Sequence, residues 1–570
     1  MNTPSPSLDS AQSIDYELLP AGPVTELANH DLHCLVDGQG VVTLLEWPWG
    51  GGRYLHRLAV TVAEQLEGEL QPLSVRFLPG ELEIVTGGEG IIVTKRVALP
   101  WKTGDDRALI YLLECQAEGD RLLRVIIEIE WGEVVQQQLV DGLLVAQINP
   151  GPARGVYGQR NADSTRVFGN PHGHPDRAEL DDPTRATLVY HVLVNGTVEV
   201  PLLLTLSDVG EQVAWGNFLA LREAGEMAEA SQNAWMASLQ SGRLWSPNPV
   251  FNRAVQQGKL WALRSFKRLR TGYAPDEQDV ARLPALVAAL DTVDPVQSRN
   301  LLSHLRRSAE RHDGRLPRFL PAFPEEATLP ESAGSLEAVG AYLCALHVHY
   351  QHHTDAEWLA QQWPVARRCA DQLLLLRAAA EEAMVDGARL AALQAVVALA
   401  AAAGDEVELE RRRSDLENLV RRAPASTPLR GGMPPAGWER ATTWQRRTDR
   451  PWDFAARWPG IELAAAAIWE GTGLRHAPVD GNAHVWSVAP SFDPAWPWWA
   501  LLDLPFGRNE RLSLLWDGAM LHATHPIVAP APVALYRAIR IRSADEDEFD
   551  PYFELHENGS TAPRRFVPVW

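Results

Sequence analysis

Over roughly the first 210 residues the apolar positions fall in short β-rich runs, "QGVVTLLEWPW", "LSVRFL", "LEIVTGG", "GIIVTKRVAL", "ALIYLLECQ", "LLRVIIEIEW", "GLLVAQINP", "ATLVYHVLV" and "VEVPLLLTLS", each bounded by Gly, Pro, Asp or Asn. So many strands in so short a stretch predict two stacked sheets, and residues 15–210 read as a large β-sandwich behind a disordered segment, 1–14. From residue 211 the spacing becomes helical. A helical linker, 211–248, leads into Ala/Leu-rich segments at 279–293, 295–312, 335–353, 355–380, 387–403, 405–422 and 453–471, joined by short loops in the manner of antiparallel helix pairs. Residues 249–505 thus form an array of helical hairpins, whose closure into a ring periodicity does not reveal. "RLSLLWDGAMLHATHPI", "VALYRAIRIRS" and "FDPYFELHE" return to strand, a small β-element over 506–570. The fold class is multidomain α+β.

Length, 570 residues, suits two or three domains, and 46% apolar with 22% charged residues suits a folded, soluble chain. A net charge of −21 argues against nucleic acid or an anionic membrane surface as partner. No apolar run is long enough to span a bilayer, and the N-terminal stretch lacks a basic region followed by an apolar one. Cys34, Cys115, Cys344 and Cys369 are dispersed, without CxxC, which suits reduced thiols in a cytoplasmic protein. No nucleotide loop or serine-hydrolase elbow is present.

The order of domains, with "GGRYLHRLAVTV" at 51–62, "DGRLPRFLP" from 313, "SLEAVGAYLCALHVHYQHHTDAEWLAQQWPVARRCADQLL" from 335, "RPWDFAARWPG" from 450 and "HVWSVAP" from 484, resembles the six-hairpin glycosidase superfamily, in particular glycogen-debranching, amylo-α-1,6-glucosidase-like proteins. The resemblance implies a six-hairpin (α/α) toroid for the helical domain. It also implies a glycoside hydrolase acting on an α-glucan or related oligosaccharide, with no cofactor. Such chemistry needs one carboxylic acid to protonate the leaving oxygen and a second carboxylate across the sugar.

Glu337 occupies the position where the superfamily often begins a helix with Asp-Ala, and is the expected general acid; its alternative reading is an ordinary first-turn acid behind the cap Ser335. Glu470 and Asp453 compete for the second carboxylate. Phe319 and Glu331 in the loop, and Trp452, Trp458 and Trp486, are the candidate sugar-binding residues. The superfamily's Trp-x-Arg-Asp motif is replaced by "GYAPDEQDVAR", where Tyr273 and Asp279 can stand in for the stacking ring and the acid. That departure leaves open a catalytically inactive carbohydrate-binding relative. Of 21 Trp, 11 lie at or beyond Trp438, consistent with stacking on sugar or with packing. His349 and His353 have the i,i+4 spacing of metal ligands, and His172, His174 and Asp176 cluster in "NPHGHPD". Hydrogen-bonded or solvated histidines are the default, so no metal is expected.

Overall fold

The computed structural model describes residues 14–568 apart from 17–24, 48–51, 65–69, 89, 102–106, 149–163, 208–209, 270–271, 276–279, 319–333, 376–381, 423–456, 480–482, 508–509, 543–551 and 561. The chain forms two compact units. One spans 8–237 with 267–269, and the other consists mainly of 238–266 and 270–570.

The first unit is an antiparallel sheet of 14 strands among the described residues. Its spine is two strands of unusual length, Ala108–Trp131 and Arg185–Ser207, paired from end to end. The Gly-Asp and Asn-Gly steps that read as turns in the sequence instead lie inside these strands. Gly119 and Gly196 take positive φ (84° and 80°) beside a register shift between Val194 and Gly196, so the chain bulges rather than reverses. One side of Ala108–Trp131 pairs with Ile91–Ala98 in its first half and with Gly52–Glu64 in its second, so the sheet branches. The inner half-strand, Leu109 to Leu113, is buried on both faces. Helices α1 (Glu211–Ala220) and α2 (Ala224–Gln240) cover one of them, setting Ala214, Phe218, Leu221, Ala224 and Ala228 against Ile110, Leu112, Val167 and Leu203.

The second unit holds α3 (Pro249–Arg264), α4 (Leu283–Leu290), α5 (Pro295–Arg311), α6 (Leu336–His353), α7 (Ala356–Leu375), α8 (Glu382–Ala402), α9 (Glu406–Arg422) and α10 (Arg457–Ala465). A π-helical turn, Ala466–Glu470, extends α10. A five-stranded sheet joins Arg243–Trp245 to Trp499–Phe506, Glu510–Trp516, Leu521–Ala523 and Val533–Leu535, and two three-stranded sheets follow the helices.

Helix directions decide what can meet. Where α4 and α6 start, Val280 N–H donates to Arg318 O (3.1 Å) and Ser335 N–H to Leu316 O (2.8 Å). The Arg282 guanidinium lies 5.1 Å from the ring of Trp458, so α10 starts there as well. Where the same helices finish, Asp291 meets His349 and His352, while Trp469 Nε1 donates to Ala288 O (2.8 Å). Helices α4, α6 and α10 therefore run parallel. In contrast, α3 runs against α10, its end at Ser265 bonded to Arg457 (2.7 Å), and its Gly258 so close to Gly460 that a Cβ would stand 2.0 Å from that carbonyl oxygen. The Ala-rich α8 packs on α6 through Ala388 and Ala392, which lie near Gly340.

Candidate functional site

Glu337 sits in the first turn of α6. The Ser335 hydroxyl accepts from Ala338 N–H (3.2 Å) and donates to Glu337 Oε2 (2.8 Å), a side-chain cap that fixes both the start of the helix and the carboxylate. The approach to that cap is equally determined. After α5, Asp313 and Gly314 take left-handed conformations (φ 52° and 81°), and a side chain on Gly314 would strike the backbone of Arg368 and Cys369. The chain then passes through Leu316, which is fully buried. At this end Trp458 is half-buried, with Arg282 over its ring and Arg457 at 6.0 Å.

The other candidates divide sharply. Tyr273 is on the short strand Gly272–Pro275, which leads toward the start of α4. Asp279, Phe319, Glu331, Trp452 and Asp453 lie outside the described residues. Glu470 and Trp486 belong to the opposite end. Glu470 follows Trp469, whose indole stacks on His352 at 3.6 Å, in the last turn of α6. Trp486 is buried, edge-on to Phe506 (5.3 Å) and to His476 (5.3 Å), a packed rather than a presented ring. Between Glu337 and the His352 turn run about 22 Å of helix at 1.5 Å per residue. The fold does not bring Glu337 and Glu470 together, although burial, opposed by Arg475, pushes the Glu470 carboxyl up.

The far end holds a group of which the sequence singled out His349 and His353 by spacing but not Asp291. Asp291, at the C-cap of α4, is fully buried and accepts from His349 Nδ1–H (2.7 Å) and His352 Nδ1–H (2.8 Å), while His353 Nε2 lies 3.5 Å away. Burial raises its carboxyl, and the facing histidines, His349 foremost, outweigh this and hold it well below the usual range. Burial in turn lowers His352 to about 4 and also lowers His349, against the pull of Asp291, so both rings are neutral donors at pH 7. The donor atoms of Asp291, His349 and His353 lie within 4.8 Å of one another. The sequence signal was available: an acid directly after the apolar run "LPALVAAL" cannot stay buried without partners. By contrast, the exposed Asp176 binds His191 (3.0 Å) and His172 faces Glu223 at 3.9 Å, so that loop does not gather ligands. All four Cys are free and burial pushes their thiols up, which removes them as thiolate nucleophiles.

No protein-family model and no curated protein matches this chain. Solved structures do. A protein from human microbiome named as a kojibiose phosphorylase is 8% identical, with a TM-score of 0.61 and 98% of each chain covered. A GH78 family rhamnosidase of Bacillus sp. GL1 is 12% identical with a TM-score of 0.39, covering 77% of this chain and 54% of that one. The first likeness shows that this chain shares a fold with the phosphorylase-named protein over essentially its whole length. No described helix is long and apolar enough to cross a membrane.

Proposed function

We propose that the chain is a carbohydrate-active enzyme that cleaves an α-glucan or related oligosaccharide, with its site at the end of the helical unit where α4, α6 and α10 start. The single observation carrying this reading is that Glu337 and Trp458 both lie at the end where three parallel helices start. In the sequence Asp279 directly precedes Val280, Glu331 lies six residues before Glu337, and Asp453 lies four before Arg457, so the remaining candidates flank the same helix starts. In this reading Glu337 protonates the leaving glycosidic oxygen and Asp453, in preference to Glu470, is the second carboxylate. Tyr273, Phe319, Trp452 and Trp458 supply faces for sugar C–H groups, and Asp279 and Glu331 supply acceptors for hydroxyls. The sheet unit is then a sandwich of two stacked halves, the helices close as a six-hairpin toroid, and the protein works in the cytoplasm. The likeness to a protein named as a kojibiose phosphorylase supports the carbohydrate class, and glycogen-debranching specificity is the narrower form of the proposal.

The second reading, a carbohydrate-binding relative without turnover, is favoured by one feature, "GYAPDEQDVAR" where the superfamily motif Trp-x-Arg-Asp is expected. Both are tested by incubating the purified chain and Glu337→Gln with α- and β-linked di- and oligosaccharides, including α-1,6-branched glucans, with and without inorganic phosphate. Turnover by the wild type that the variant loses supports the enzyme. Release of sugar phosphate only when phosphate is present assigns phosphorolysis rather than hydrolysis. Tryptophan-fluorescence binding without turnover supports the second reading, and neither binding nor turnover overturns both.

A further inference from the structure

The polar cluster at the finishing ends of α4 and α6 has a charge and lone-pair arrangement that its own atoms do not complete. His353 Nδ1 faces Gly507 O at 3.4 Å, and a carbonyl only accepts, so the ring proton is on Nδ1. Nε2 of the same ring points at Asp291 Oδ1, 3.5 Å away, with no hydrogen-bond partner on that nitrogen. A carboxylate oxygen and an imidazole nitrogen that face each other in a dry interior without a hydrogen bond need a positive charge between them, a proton or a cation. His349 Nε2 is likewise buried without a partner. Asp291, His349 and His353 are exposed by 0%, 0% and 3%. The nearby cation, Arg299, is bound to Asp355 at 3.1 Å. Helices α4 and α6 both finish at the cluster, and their last carbonyls add partial negative charge to that of the carboxylate.

We propose that Asp291, His349 and His353 form a structural binding site for a divalent transition metal, with zinc the best match to a set of two imidazoles and one carboxylate. The 3.5 Å from Asp291 Oδ1 to His353 Nε2 is close to the separation of about 3.4 Å expected for two ligands roughly 2.1 Å from one tetrahedral ion. On binding, the neutral His349 ring moves its single proton from Nδ1 to Nε2, with no net release, and the freed Nδ1 lone pair exchanges the hydrogen bond to Oδ1 for a bond to the ion. His352, donating to Oδ2 and stacked on Trp469, holds the carboxylate in orientation. The two helices would then be clamped at the end opposite the proposed sugar site.

The test uses the full chain produced in zinc-supplemented medium, dialysed, and measured for metal by mass spectrometry beside His353→Gln and His349→Gln. Retention of about one zinc per wild-type chain, lost in both variants, is expected. The chelator-stripped wild type should gain thermal stability on adding zinc and, with cobalt, show the visible absorption of a tetrahedral N/O site. Should the variants not fold, the cobalt spectrum of the wild type decides alone. A wild type that retains no zinc, does not respond to zinc in thermal melts and gives no cobalt bands overturns the proposal and leaves the charge to a proton on His353. Equal zinc uptake by wild type and folded variants also overturns it, since the metal would then be elsewhere.

Discussion

At its first turn α6 presents one carboxylate, Glu337, half-buried and held by a serine hydroxyl. At its last turn it presents three histidines to a carboxylate sealed from water. The same helix, with α4 and α10 alongside, thus ends in chemistry of two kinds. Helix starts favour negative charge, which suits Glu337, whereas at the finishing end the carboxylate of Asp291 sits against helix carbonyls and depends on the facing imidazoles to hold it. The difference teaches where to look for turnover. In the sequence, the segments next to the starting ends are rich in Tyr, Phe, Trp, Asp and Glu, whereas the finishing end is packed against strand and aromatic rings, with Trp469 on His352 and Trp486 on Phe506.

The largest expected effect separates the two ends by activity. Glu337→Gln should lower kcat on the substrate found by about 10²–10⁴-fold, the range for loss of a general acid, while Glu470→Gln changes it by less than about tenfold. Steady-state kinetics on both variants checks this; the reverse order would move the site to the other end. On stability the ranking inverts. Asp291→Asn removes the buried anion facing three imidazoles and should cost about 3–5 kcal/mol by urea unfolding of the helical unit, against less than about 1 kcal/mol for Glu337→Gln.

A third contrast lies among the histidines. Those around Asp291 have hydrogen-bond partners, whereas neither ring nitrogen of the buried His304 has one. Burial, with Arg307 beside it, lowers His304 to about 4, from an ordinary value near 6.5. The folded state therefore refuses a proton that the unfolded chain accepts, and the stability present above pH 6.5 is lost as pH falls from there toward 4. At pH 5 this amounts to about 2 kcal/mol for one such group. Urea midpoints at pH 7 and pH 5 should diverge for the wild type, and His304→Leu should narrow the gap.

How much of this was legible follows from which forces act locally. The helix over 335–353 was readable because its cap, its apolar spacing and its finish at Thr354 are all local, and the structure has it at Leu336–His353. The segment 279–293 proved shorter, Leu283–Leu290 after a 3-10 turn at Val280–Arg282, because the chain must free Asp291 to face α6. The two long strands were read as four, since Gly-Asp and Asn-Gly signal turns and only pairing with a neighbour of equal length makes them bulges. Asp291 itself escaped because its partners are about sixty residues away: the apolar run before it says that it needs partners but not which. The carboxylates were nominated by resemblance and residue type. The separation of Glu337 from Glu470 depends on helix direction, which a periodic pattern does not carry.

The smallest expected effect bears on what Glu337 is for. Its hydroxyl partner Ser335 caps α6, and an N-cap serine is worth about 1 kcal/mol, so Ser335→Ala should lower stability by that amount in a thermal or urea melt. If Glu337 acts only as a first-turn acid, Glu337→Gln should cost a similar few tenths to 1 kcal/mol and leave sugar binding and turnover as they were. If it is the proton donor, the two variants part company: Ser335→Ala loses stability but keeps turnover within about tenfold, while Glu337→Gln keeps its fold and loses turnover. Paired melts and kinetics on these two neighbours therefore separate a helix cap from a catalytic acid, because they alter the same turn of helix and only one of them removes the proton.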